Sequence, residues 1–158
     1  YRDGDLVNIK YRDGKKNFKL SKGAERLLYG LDDLSKSLTI IVEGEMDKLS
    51  IEEAGYPNCI SVPDGAPSME SKSYSSKFDF LADPRLDNVK RFVIAVDTDA
   101  PGKRLEDELS RRLGVERCAR VIWPTDCKII FRCSIPVLMD VWPMNVFLML
   151  DRSKMMRA

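Results

Sequence analysis

Thr39-Ile40-Ile41-Val42-Glu43-Gly44-Glu45-Met46-Asp47-Lys48-Leu49-Ser50-Ile51-Glu52-Glu53-Ala54-Gly55 carries two structural signals in succession. Thr39, Ile40, Ile41 and Val42 are all β-branched and do not alternate with polar residues, which suits a short strand buried on both faces. Glu43-Gly44 ends that run. Met46, Leu49, Ile51 and Ala54 then recur beside Glu52 and Glu53 as the apolar positions of an amphipathic helix, with Gly55 and Pro57 as its stop. The reading is strand, turn, helix.

The unit repeats downstream. Cys59-Ile60-Ser61-Val62 reads as a second strand opening into Pro63-Asp64-Gly65-Ala66, and residues 91–96 as a third opening into Asp97-Thr98-Asp99-Ala100-Pro101-Gly102. A helix over 103–113 stops at Gly114, and a fourth strand over 119–123 stops at Pro124. Between the second and third strands, residues 68–76 are a Ser- and Lys-rich loop, and 77–82 form a helix before Pro84. Upstream, 23–28 form a short helix. Residues 1–20 contain an echo, Tyr1-Arg2-Asp3-Gly4 and Tyr11-Arg12-Asp13-Gly14, whose Asp-Gly pairs suit tight turns between extended segments. The fold expected is α/β: a mainly parallel sheet with flanking helices, preceded by a small antiparallel N-terminal meander. Ligands of such sheets gather at the carboxyl ends of the strands.

Bulk properties narrow the chemistry. The chain has 158 residues, the size of one domain, and a net charge of +1, which argues against a globally basic nucleic-acid binder but allows a basic groove facing an acidic one. There is no histidine, and Cys59, Cys118, Cys127 and Cys133 form no CxxC pair, so no zinc site is expected. His-dependent triads are excluded, which leaves carboxylates, lysines, hydroxyls or a bound metal. The most apolar stretch, 141–150, is shorter than a membrane span and contains Pro143 and Asn145, so no membrane association is expected. A start at Tyr1 without a signal-type succession suggests a fragment or processed product.

Glu43 ends one buried strand, and Asp97 and Asp99 end another. Carboxylates gathered at one sheet edge repel unless a cation intervenes, and hard oxygen ligands suit Mg²⁺, with Mn²⁺ as an alternative. Asp99 also suits the N-cap of the helix entered through Pro101, and Glu45 and Asp47 suit a helix's first turn.

Glu43-Gly44-Glu45-Met46-Asp47-Lys48-Leu49, Val62-Pro63-Asp64-Gly65-Ala66 and Val96-Asp97-Thr98-Asp99-Ala100-Pro101-Gly102 resemble, in order and spacing, the motifs of TOPRIM domains. More narrowly, they resemble those of phage-type primase-helicases and plant organellar Twinkle proteins, over roughly residues 7–124. The resemblance implies a primase, with Glu43 in acid/base or metal-linked duty and Asp97 and Asp99 on Mg²⁺. Gly44, Glu45, Asp47 and Gly65 fall in the site loops. Lys10-Tyr11-Arg12-Asp13 and Lys16-Asn17-Phe18-Lys19 resemble the family's basic ribbon, which puts Lys10 and Lys16 on nucleotide phosphates. Lys103 and Arg104 are further phosphate candidates. The partners implied are single-stranded DNA, nucleoside triphosphates and a full-length Twinkle-like helicase, in mitochondrion or chloroplast.

The division expected is a meander and short helix over 1–36, a TOPRIM core over 37–124, and a divergent tail over 125–158. The tail lacks the family's further acidic motif, with Asp126 a weak stand-in, and suggests a truncated or altered reading of a longer gene. No Gly-x-x-x-x-Gly-Lys-Ser/Thr loop occurs, so no helicase motor is expected. The alternatives are a catalytically impaired module that binds single-stranded DNA or a Twinkle-like partner, and a TOPRIM nuclease. A haloacid-dehalogenase-like phosphatase, which also carries Asp-x-Asp after a strand, ranks last.

Overall fold

The computed structural model describes residues 1–15, 17–67 and 75–122, and the backbone of 138–141. Strands β1 (Lys10–Arg12) and β2 (Phe18–Leu20) pair antiparallel, with Arg12 opposite Phe18 and Lys10 opposite Leu20. The main sheet is built from β3 (Thr39–Val42), β4 (Cys59–Ser61), β5 (Phe92–Ala95), β6 (Cys118–Ile122) and β7 (Leu138–Val141) in the order β4-β3-β5-β6-β7. The first four of these are parallel, and β7 joins the β6 edge antiparallel. Helices α1 (Glu45–Glu53) and α2 (Ala100–Leu113) follow β3 and β5. This is the α/β architecture with a small antiparallel ribbon that the sequence led us to expect.

Both faces of the sheet are covered, which is why the strands read as continuous apolar runs. On one face Ile41, Ile60, Phe92 and Ile94 pack with Leu105, Leu109 and Leu113, the inward stripe of α2. On the other, Ile40, Val42, Val93 and Ala95 pack with Ala119, Val121 and the half-buried Ile51 of α1.

Four local readings change. Residues 23–28 are not helical: Gly23 has φ +73, and the segment takes β-type partners, Glu25 N–H donating to Val7 O and Tyr29 exchanging bonds with Ser61. The helix expected over 77–82 is a 3₁₀ stretch over Ser75–Ala82. The packed face of α1 is only partly the apolar one: Ile51 packs on the sheet, but Met46 and Leu49 are exposed whereas Lys48 is buried. Lys48 is held there by Asp33 at 2.8 Å and by Glu52, and burial, which alone would lower its pKa, is outweighed by these two carboxylates. Helix α2 also begins three residues before the expected start, at Ala100.

The Asp3-Gly4 turn is as tight as its sequence suggests, with φ +54 and +83 and reciprocal hydrogen bonds between Arg2 and Asp5. Cys59 and Cys118 are buried free thiols whose pKa values desolvation pushes up to about 12 and about 11, which leaves them unreactive. Cys127, Cys133, Asp126 and nearly all of the tail lie outside the described residues. No described helix is long and apolar enough to cross a membrane.

Candidate functional site

Register assembles the site. Val42 lies beside both Ser61 of β4 and Ala95 of β5. One step further along three parallel strands, Glu43 is therefore flush with Val62 and Val96, and the loops leaving the sheet carry Pro63-Asp64-Gly65-Ala66 on one side and Asp97-Thr98-Asp99 on the other. The motifs separated in sequence meet at the carboxyl edge because parallel strands place all their exits there.

Glu43 sits half-buried at the centre. Its Oε1 accepts a hydrogen bond from the Ala66 amide at 3.3 Å, and its Oε2 is buried with no hydrogen-bond partner among the described residues. Burial raises its pKa; the backbone amides of Ala66 and Asp97 pull it back, and the charges of Asp97 and Asp99 raise it further. Asp47, from the first turn of α1, behaves alike: burial raises its pKa first and Asp97 adds to the rise, while the Gly44 amide offsets part of it. Among the described residues, none of Glu43, Asp47, Asp97 and Asp99 has a salt-bridge partner.

Asp97 and Asp99 are both exposed, and they divide in role. Asp99 N-caps α2, accepting from the Gly102 amide at 2.8 Å, with Pro101 in the first turn. Asp97 lies against that same turn: a Cβ on Gly102 would stand 2.0 Å from the Asp97 carbonyl oxygen, so only glycine permits the approach. Gly102 is the residue whose importance the sequence reading missed, although it closes the Asp97–Gly102 motif. Gly65 is constrained differently, since a Cβ would find ordinary contact with Glu43 Oε1 at 3.6 Å while φ +67 disfavours any other residue. At Gly44 a Cβ would press on Asp47 Oδ2 at 2.8 Å.

Basic residues stand around this acidic centre. Lys10 Nζ donates to Glu45 Oε1 at 2.5 Å and to the Pro63 carbonyl at 2.6 Å, which joins the ribbon to both site loops and neutralises Glu45. Arg26 Nε pairs with Asp64 at 2.7 Å, steadying the loop that presents Gly65 and Ala66. Lys103 is exposed on α2, and Arg104 is half-buried with its Nε unpartnered among the described residues. Lys16 lies outside the described residues.

A cation would suit this centre, because three acids that share their repulsion and one orphaned carboxylate oxygen lack a positive partner. The side chains do not by themselves form a closed cage: among the described residues, no three His, Cys, Asp or Glu groups gather closely enough to enclose a metal. Such an open arrangement fits Mg²⁺, which keeps several waters and takes few protein ligands.

Comparison with known proteins agrees with the fold. Residues 37–121 match the Toprim domain model. The chain is 48% identical over 133 residues to the Twinkle homolog protein, chloroplastic/mitochondrial, of Arabidopsis thaliana, and 47% identical over 133 residues to the primase homolog protein of the same plant. Each match takes in 78% of this chain but only 19% of the first relative and 40% of the second. Among solved structures, the primase fragment of the bacteriophage T7 primase-helicase superposes with TM-score 0.63 at 25% identity, over 77% of this chain and 50% of that one. A bacteriophage T7 polymerase complex, whose primase domains are bound to an RNA/DNA hybrid and dTTP, shares the fold with TM-score 0.62 at 24% identity, over 79% of this chain and 63% of that one.

Proposed function

We propose, from the premise that this chain belongs to the Toprim family, that its acidic edge is a Mg²⁺-dependent nucleotidyl-transfer site for primer synthesis on single-stranded DNA in organellar replication. The observation that carries this reading is the half-buried Glu43 carboxylate, which has no salt-bridge partner among the described residues, beside the charges of Asp97 and Asp99. Asp97 and Asp99 would hold Mg²⁺ (or Mn²⁺) together with Glu43; when bound, the metal supplies charge neutralisation for a nucleoside triphosphate. Glu43 takes the proton of the attacking 3′-hydroxyl from its place at the carboxyl end of β3, between the loops that leave β4 and β5. Lys10, Lys16 and Lys103 bind triphosphate oxygens, Lys10 by exchanging its bond to Glu45 for one to phosphate. The plant relative named chloroplastic/mitochondrial supports an organellar setting, and the Twinkle name supports a Twinkle-like helicase as partner.

The test is primer synthesis from nucleoside triphosphates on single-stranded DNA with added Mg²⁺, comparing the wild type with Asp97→Ala and Glu43→Ala. Loss of product by a factor of about 10² or more in both variants is expected. Equal activity in all three proteins would refute the assignment, and labelled-DNA products shorter than the input would point to a nuclease instead. A second reading, a module that binds single-stranded DNA or a Twinkle-like partner with impaired turnover, draws support from Asp99, whose carboxylate is already committed to capping α2. Under that reading DNA binding persists in wild type, Asp97→Ala and Glu43→Ala alike, with no product from any of them.

A further inference from the structure

The ribbon carries a feature that neither the acids nor the phosphate-binding lysines account for. Phe18 is 57% exposed on β2, although a benzyl side chain gains most when buried. Directly opposite residues of an antiparallel pair share a face, so Arg12 lies on the same side as Phe18, and Lys10, two residues from Arg12, joins them. Both cations lean over the ring: Lys10 Nζ is 4.9 Å from its centroid and Arg12 Cζ 5.8 Å. Lys10 ties this face to the acidic edge through Glu45 and the Pro63 carbonyl. The tip of the ribbon is braced, with Asp13 Oδ1 accepting from the amides of Lys15 and Asn17 at 2.8 and 2.9 Å, and Asp13 Oδ2 from Asn17 Nδ2 at 2.8 Å. Arg12 has no ion-pair partner among the described residues, and Lys15 and Lys19 extend the positive charge along the exposed ribbon.

We propose that the Arg12–Phe18 face of the ribbon is a stacking platform for a base of single-stranded DNA entering the acidic edge, with Phe18 holding the base and Arg12 the adjoining phosphate. An exposed ring beside Arg12, which has no ion-pair partner among the described residues, fits a ligand that alternates flat apolar bases with anionic phosphates, and the charge of Arg12, Lys15 and Lys19 favours a polyanion over an apolar peptide. This assignment rests on the nucleic-acid reading above and goes beyond it by naming the surface that holds the base.

Its test needs neither turnover nor metal. Binding of a labelled thymidine oligomer and of an abasic oligomer of equal length is measured by fluorescence anisotropy in EDTA, for the full chain and its Phe18→Leu and Phe18→Tyr variants. Phe18→Leu should weaken the thymidine oligomer roughly fivefold to tenfold and leave the abasic oligomer unchanged, with Phe18→Tyr close to the wild type. The proposal is overturned if wild type binds both oligomers equally, if Phe18→Leu alters both or neither, or if it weakens competition by free dTTP while sparing the oligomer. An absence of primer synthesis would leave this result standing, and a failure here would leave the Glu43 and Asp97 test unaffected.

Discussion

The two edges of the parallel sheet handle clustered acids in opposite ways. At the amino edge, Asp83, Asp3 and Asp32 surround Arg85 at 3.0, 3.1 and 3.2 Å. The Asp83 carboxyl is held below its ordinary pKa first by its hydrogen bond from Arg85, and Asp32 by the amides of Gly4 and Asp3. Arg85, Asp3 and Asp32 line a cavity of about 450 Å³ that also takes in Leu31, Leu34 and Val89 and does not include Glu43. At the carboxyl edge, Glu43 and Asp47 have raised pKa values and no described ion pair. The edge where Arg85 supplies the cation is structural, and the edge that leaves Glu43, Asp47, Asp97 and Asp99 without a described ion pair is where we propose that a ligand cation and phosphates bind.

The contrast can be broken most strongly at Gly102. Gly102→Ala would drive a Cβ into the Asp97 carbonyl, so a loss of about 3 kcal/mol or more in denaturant unfolding is expected, together with loss of any Mg²⁺ response. Magnesium itself should sharpen it: at a concentration near 100 times its dissociation constant, stabilisation of about 2.7 kcal/mol is expected in the wild type and little in Asp97→Asn, read from melting curves with and without the metal. On the opposite edge, Arg85→Met should cost about 2 kcal/mol, because Arg85 is largely covered and leaves Asp83 without its partner, while the exposed Asp3 contributes little.

The same edge sets an acid limit. Asp83 titrates below its ordinary value of 3.8 in the folded chain, so its contribution is fully present above pH 3.8 and is lost as pH falls through the lower folded value. Unfolding measured from pH 7 to pH 2 should show this loss in the wild type and a shallower one in Arg85→Met. The smallest effect is expected at the acidic edge without metal, where Glu43→Gln removes a repelling charge and should stabilise the chain by about 0.5–1 kcal/mol while abolishing the proposed primer synthesis. Destabilisation by Glu43→Gln would mean that the carboxylate is a structural group.

The sequence by itself determined the parallel core and the address of its acids. Unbroken β-branched and apolar runs such as Thr39–Val42 can only be buried strands, and Glu43, Asp97 and Asp99 follow such runs directly, so strand-end placement was legible from local pattern. Tertiary structure alone decided the matters settled by partners far away in the chain. Lys48 became an inward residue because Asp33 waited for it, leaving Met46 and Leu49 outside. Residues 23–28 gave up a helix for pairing with Val7 and, through Tyr29, with Ser61. Lys10 acquired Glu45 and Pro63, and Arg85 acquired Asp3 and Asp32. Periodicity reports only which side of an element faces inward on average, whereas an ion pair or a shared backbone bond depends on two distant segments arriving at one place, and that arrival is fixed by the packing of the whole sheet.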